Sequence, residues 1–233
     1  MKNKKNLVEL EEKLGFKFTD QKLLQQIFIH RSYLNEIKGG DLAHNERLEF
    51  LGDAVLELVV TEHLYETYDN PEGELTNWRS AIVRGEILAE TANELGLGDY
   101  LMLSRGEEKS GGRNRNLILA NTFEALIGGI YLDAGYEAAG QFIHKHLIAK
   151  LPNIIAHQLH IDPKSKLQEI SQDRFSRTPE YKTLKEEGPD HAKTFEVGVY
   201  VNKKLLAKGS GSSKQRAEQN AAANALKKLT KAT

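Results

Sequence analysis

The residues best suited to chemistry in this chain are acids gathered in one short stretch, Asn45-Glu46-Arg47-Leu48-Glu49-Phe50-Leu51-Gly52-Asp53-Ala54-Val55-Leu56. At about 100° per residue, Glu46, Glu49 and Asp53 share one narrow stripe of a helix, while Leu48, Leu51, Val55, Leu58 and Val59 gather on roughly the opposite side. Like charges at such spacings repel. A divalent cation held by carboxylate oxygens is the economical compensation. A second polar pair, Asn121 and Glu124, stands at i, i+3 in a segment that is otherwise apolar nearly all round, and buried polar groups need partners. Set against the acidic stripe, this pair would complete an oxygen-donor site on two facing helices, of the sort magnesium takes. Satisfaction of the pair by backbone or by arginine fits the same spacing.

Two other groups invite a chemical reading. The segment 104–116 carries Arg105, Lys109, Arg113 and Arg115 among Gly106, Gly111 and Gly112, a composition that suits either a phosphate cradle or a solvated loop. His30-Arg31-Ser32-Tyr33 follows an apolar helix end, where hydrogen bonding and packing are the commoner roles for histidine and arginine.

The elements that must position these groups follow from periodicity. Helices are expected over residues 7–14 and 21–30, and from 46 onward with Asn45 as N-cap. Further helices are expected over 77–88, 86–95 (continuing from the last or breaking near Gly85), 117–132 and 133–151. From Asp162 the texture changes: an N-cap and a proline at the first helical position open a helix to about residue 173. Strands are expected over 178–187, 193–201 and 204–208, with Phe195, Val197, Val199 and Val201 alternating on one face, and then a helix over 214–229. The organisation is an all-α domain over residues 1–155, a connection at 156–161 within a stretch from Pro152 that reads as linker, and a small α-β-β-β-α domain over 162–231.

Composition bounds the function. With 39% hydrophobic residues over 233, the chain can bury a real core, and with no cysteine it has neither disulfides nor thiolate metal sites. Residues 1–159 hold 17 Lys and Arg against 24 Asp and Glu, whereas 160–233 hold 15 against 9. An acidic module is thus tied to a basic one, and the basic one is better suited to a polyanion. The basic start lacks an apolar signal core and no later run is expected to span a bilayer, which points to the cytoplasm. Nucleotide-binding loops, a nucleophile elbow and Glu-x-x-His pairs are all missing from the sequence.

Taken together, His30-Arg31-Ser32, the run from Asn45 to Asp53, Glu72-Gly73, Lys109-Ser110-Gly111-Gly112, Phe123-Glu124-Ala125-Leu126-Ile127-Gly128 and the α-β-β-β-α tail resemble bacterial ribonuclease III over essentially the whole chain. The resemblance implies an all-helical endonuclease domain joined to a double-stranded RNA-binding domain. It also implies a homodimer that hydrolyses duplex RNA with Mg2+ (Mn2+ able to replace it), leaving 5′-phosphate and 3′-hydroxyl ends with short 3′ overhangs, in rRNA and other RNA processing. No small-molecule cofactor or membrane is implied. By position, Glu49, Asp53, Glu124 and residue 121 would hold metal, with Glu46 and Glu72 acting beside them near the dimer valley and Phe50 touching the partner subunit. Ser165, Gln168, Glu169 and Gln172 would face one minor groove and the Gly188-Pro189-Asp190-His191 loop the next. Lys214, with Ser213 before it, would meet phosphates across the major groove. Lys109, Arg113 and Arg115 join the RNA-binding set.

The chain departs from the family pattern in two places. Gln215 and Glu218 stand where lysines are common, which implies a weaker grip on phosphate by the small domain. Asn121 stands where the family has aspartate, so one formal charge is missing from the metal site. Weakened magnesium binding and slow cleavage with duplex binding retained are expected; the alternative is a catalytically inactive double-stranded RNA-binding protein.

Overall fold

The computed structural model describes residues 7–37, 42–157, 162–189 and 193–231, and the chain divides into two compact units, residues 1–160 and 161–233. In the first unit the elements are α1 (Leu7–Leu14), α2 (Gln21–Ile27), α3 (Arg31–Leu34), α4 (Glu46–Thr67), α5 (Glu72–Ile82), α6 (Gly85–Glu94), α7 (Arg105–Lys109), α8 (Asn116–His146) and α9 (Leu151–Ala156), with short 3-10 turns at Leu97–Tyr100, Gly112–Asn114 and Ile148–Lys150.

Helix α8 is the axis of this unit. From Ile118 to Ile130 nearly every side chain is buried, because α4 covers one flank and α6 another. By length and composition Asn116–Ala156 would pass for a membrane span, contrary to the sequence expectation, but 61% of its most apolar window is buried inside the unit. Its apolarity is that of a core helix. Gly135, at φ 82° and ψ −176°, is non-helical, so α8 is two helices joined across a kink, close to the division expected around residue 133.

Other departures have local causes. Asn45 precedes α4, yet its side chain makes no cap. Its amide is buried and donates to the Ile27 carbonyl at 3.0 Å, closing the end of α2 instead. Helix α5 begins at Glu72, five residues earlier than periodicity indicates, since Pro71 lies before its first turn and Glu72 and Glu74 favour the positive helix end. Pro152 lies in the first turn of α9, where its missing N–H costs nothing, so the stretch read as linker from 152 is helical to Ala156. Two acids serve structure alone. Glu11 is buried and accepts from Phe18 N (2.8 Å) and Gln21 Nε2 (3.0 Å), while Asp133 accepts from Thr19 N and Asp20 N, both at 2.8 Å.

The second unit runs α10 (Pro163–Phe175), β1 (Glu180–Glu187), β2 (Thr194–Val201), β3 (Lys204–Gly211) and α11 (Lys214–Lys231). Its strands form an antiparallel sheet in the order β1-β2-β3. Asp162 caps α10, accepting from Ser165 N at 2.9 Å. Asn202 and Lys203 both take positive φ, as the tight turn between β2 and β3 requires. Val197, Val199 and Val201 are buried as their alternation indicates, with Phe195 half-buried at the strand's start. Leu167, Val199, Ala207, Ala221, Ala222 and Ala225 form the small core. Alanines suffice on α11 because it lies almost on the backbone of β3: a Cβ at Gly209 would fall 2.1 Å from Ala221 N. The architecture is an all-α unit followed by a small α+β unit.

Candidate metal centre and nucleic-acid interface

Two glycines set the acidic site. Helices α4 and α8 cross where Gly52 faces Gly128: a Cβ on Gly52 would fall 1.8 Å from the Glu124 carbonyl oxygen, and one on Gly128 would fall 2.2 Å from that of Leu48. No side chain larger than hydrogen permits that approach. Glu49 and Asp53 lie within one turn of Gly52, Glu124 lies one turn before Gly128, and the crossing therefore presses these carboxylates into one another's field.

The electrostatics record the crowding. Burial raises the pKa of Glu49, the Asn121 side chain lowers it through a hydrogen bond, and Glu46 and Asp53 raise it again. Glu124 is pushed up to about 7, mostly by burial, with the charges of Asp53 and Glu49 adding to it. The stripe and the 121/124 pair thus come together across the two helices. Asn121 acts on Glu49 across the two helices. The donors are all oxygen, which fits a hard divalent cation. Among the described residues, however, no group of three or more His, Asp or Glu is already disposed to hold an ion.

The other acids stand apart from this cluster. Glu46 is exposed and faces Arg31 (3.5 Å) and His44 (3.8 Å), reaching the centre only through its field on Glu49. Glu72, at the start of α5, accepts from Thr76 Oγ1 at 3.0 Å and lines a cleft of about 790 Å³ with Thr61, Tyr65 and Tyr68; it is not among the charges acting on Glu49 or Glu124. Phe50 is 80% exposed on α4, an aromatic ring with no cover in the single chain. His30 caps α3: its Nδ1 accepts from Ser32 N at 3.2 Å, and burial lowers its pKa, which accords with the structural role expected of it.

The basic loop proves ordered. Arg113 donates to the carbonyls of Gly98 (3.0 Å) and Leu101 (2.8 Å) and pairs with Glu108 (3.2 Å). Arg115 pairs with Glu107 and donates to Ser110 Oγ at 3.1 Å. These guanidiniums tie the segment to its own unit, while Lys109 and Arg115 are exposed.

In the second unit, Ser165, Gln168, Glu169 and Gln172 form an exposed stripe on α10, opposite buried Leu167 and Ser171. Glu169 is paired with Lys166 at 2.9 Å. Ser213 Oγ accepts from Arg216 N at 3.2 Å at the start of α11, and Lys214 next to it is exposed. His191 and Asp190 lie outside the described residues. One neighbour escaped the sequence reading: Glu186, whose carboxylate meets Lys214. Nothing in local spacing signals it, because β1 and α11 are brought together only by the sheet. Gly52 and Gly128 did carry a signal, since a glycine inside an apolar helix marks close approach.

Comparison with known proteins extends this picture. Residues 20–151 match the model of the family described as Ribonuclease-III-like, and residues 163–229 match the Double-stranded RNA binding motif. Ribonuclease 3 of Desulforamulus reducens is 48% identical over 221 residues, covering 94% of this chain and 90% of that protein. Ribonuclease 3 of Streptococcus uberis is 46% identical, covering 99% of each. The solved nuclease domain of ribonuclease III from Campylobacter jejuni, a structure concerned with a region involved in dimer formation, is 39% identical with a TM-score of 0.58. It covers 63% of this chain and 99% of that one.

Proposed function

This chain belongs to the ribonuclease III family, double-stranded RNA endoribonucleases that depend on metal, and on that premise we propose how its own residues divide the work. The acidic unit cuts and the basic unit holds the duplex. The observation that carries the assignment of the cutting site is the convergence of Glu49, Asp53 and Glu124 at the Gly52–Gly128 crossing, where burial first, and the charges of Asp53 and Glu49 after it, push the Glu124 pKa up to about 7.

The metal we assign is Mg2+, with Mn2+ able to replace it; Glu49, Asp53, Glu124 and the Asn121 amide oxygen would hold it. When bound, such an ion supplies Lewis acidity toward water and a phosphodiester. Glu124 must give up its proton to hold the ion, and Asn121 offers a neutral amide where a carboxylate would add charge. That missing charge opposes loading, so the chain is a slow nuclease that still binds duplex RNA. Products carry 5′-phosphate and 3′-hydroxyl ends with short 3′ overhangs, as in rRNA and other RNA processing in the cytoplasm. Phe50 meets a second copy of the chain, and Glu46 and Glu72 act from the margin of the site formed in that homodimer. On the second unit, the stripe Ser165, Gln168, Glu169 and Gln172 faces a minor groove, and Ser213 and Lys214 meet phosphates; Lys109, Arg113 and Arg115 add contacts to RNA from the 104–116 segment, where Lys109 and Arg115 are exposed.

The test compares this chain with its Asn121→Asp variant on a labelled RNA duplex, first with magnesium and then with calcium. Binding by both, with magnesium-dependent cutting far faster in the variant, is the expected result. Failure of both proteins to cut would favour the second reading, a duplex-binding protein without catalysis, for which the neutral amide of Asn121 beside Glu49 is the specific support.

A further inference from the structure

The start of α11 is not a bare cationic end. Lys214 Nζ lies 2.7 Å from one carboxylate oxygen of Glu186, and Lys193 Nζ lies 3.9 Å from the other. Lys214 also stands 5.6 Å from the centre of the Phe195 ring. Sheet register imposes this meeting. Glu186 pairs with Phe195, Phe195 pairs with Gly211, and Ser212 and Ser213 alone separate Gly211 from Lys214. The hydrogen bond from Lys214 is also the leading reason that the Glu186 carboxyl sits below its ordinary pKa.

We propose that Glu186 acts as an internal phosphate mimic: it occupies Lys214 in the free protein, so that duplex RNA must displace a carboxylate to gain the lysine. This rests on the reading that Lys214 meets a phosphate. The consequence is an attenuated grip. Once displaced, the Glu186 carboxylate draws a cation of its own, which offsets one released from the RNA, so both affinity and its salt dependence are lowered. A module held back in this way lets a cut duplex leave sooner.

Glu187 supplies a matched control, being an exposed acid next along β1 whose carboxylate pairs at 2.5 Å with Lys185 instead. Binding of a fluorescein-labelled RNA duplex to the full chain is read by anisotropy in calcium across a potassium chloride titration. The proteins are the unaltered chain, Glu186→Gln, Glu187→Gln, Lys214→Gln and the Glu186→Gln/Lys214→Gln double variant. Glu186→Gln is expected to tighten binding about threefold at low salt, the scale of one exposed ion pair, and to steepen the salt slope by up to about one phosphate's worth. Glu187→Gln should change affinity much less, and the gain from Glu186→Gln should vanish once Lys214 is also replaced. Equal gains from the two glutamates would mean a general charge effect and overturn the proposal, as would a gain that survives without Lys214. If Lys214→Gln alone weakens binding while Glu186→Gln has no effect, the phosphate reading of Lys214 stands and the mimic falls. If Lys214→Gln binds like the unaltered chain with the same slope, both fall together.

Discussion

Replacing Gly52 by alanine tests whether the helix crossing builds the acidic site. The new Cβ would meet the Glu124 carbonyl oxygen at 1.8 Å, its carbon at 2.6 Å and Gly128 N at 2.9 Å, all backbone atoms that cannot rotate away. Restoring ordinary contact requires α4 and α8 to part by about 1.5 Å. Overpacking of this kind costs about 1–3 kcal/mol, against which alanine returns about 0.5–1 kcal/mol of helix preference. A net loss of about 1 kcal/mol corresponds to a fall in Tm of roughly 2–4 °C for a chain of this size. The same displacement separates Glu49 and Asp53 from Glu124, and a misplacement of about 1 Å costs on the order of 10²-fold in rate. Gly140→Ala is the matched control: it lies in α8 with nothing within 4 Å of the added Cβ, and should be neutral or slightly stabilising. Thermal melts of both variants, with duplex cleavage measured in the Asn121→Asp background, provide the assay. Equal Tm and equal cleavage for the two alanine variants would refute the crossing as the determinant of the site.

Two further outcomes follow from the same geometry. Glu124 has a folded pKa of about 7 against an ordinary 4.5, so its ionisation opposes folding; the cost is absent below about pH 4.5 and complete above about pH 7. The full shift would correspond to about 3 kcal/mol, cut to about 1–2 kcal/mol by solvent screening of this partly exposed group. Glu124→Gln should therefore gain stability relative to the unaltered chain as pH rises from about 5 to about 8, in chelator, and magnesium should narrow the difference; an equal Tm gap at both pH values would contradict the assignment. Asn45→Asp separates cap from core: an N-cap tolerates aspartate, but a buried donor to the Ile27 carbonyl does not, and leaving that acceptor unmet costs about 1–3 kcal/mol in a denaturant titration. Unchanged stability would restore Asn45 to the capping role.

Much of this protein was legible in local spacing. The acidic stripe 46/49/53, the polar pair 121/124, the Asp162-Pro163 helix start and the strand alternation from Val197 to Val201 are short-range patterns, and a helix or strand places such residues on one face whatever surrounds it. The swing of charge between the two units is likewise a property of the chain alone. What local spacing misassigned, it misassigned where a remote backbone group competed: Ile27 drew Asn45 away from capping. Tertiary structure alone decided which oxygens share a field. Residues 49 and 53 are about seventy positions from 121 and 124, and only the contact of Gly52 with the α8 backbone turns two separate polar pairs into one cluster with a carboxyl titrating near 7. The same holds for Glu186 and Lys214, which sheet register brings to 2.7 Å although no periodicity relates them. Helical repeats determine what a face can offer, whereas close packing determines what that face must meet.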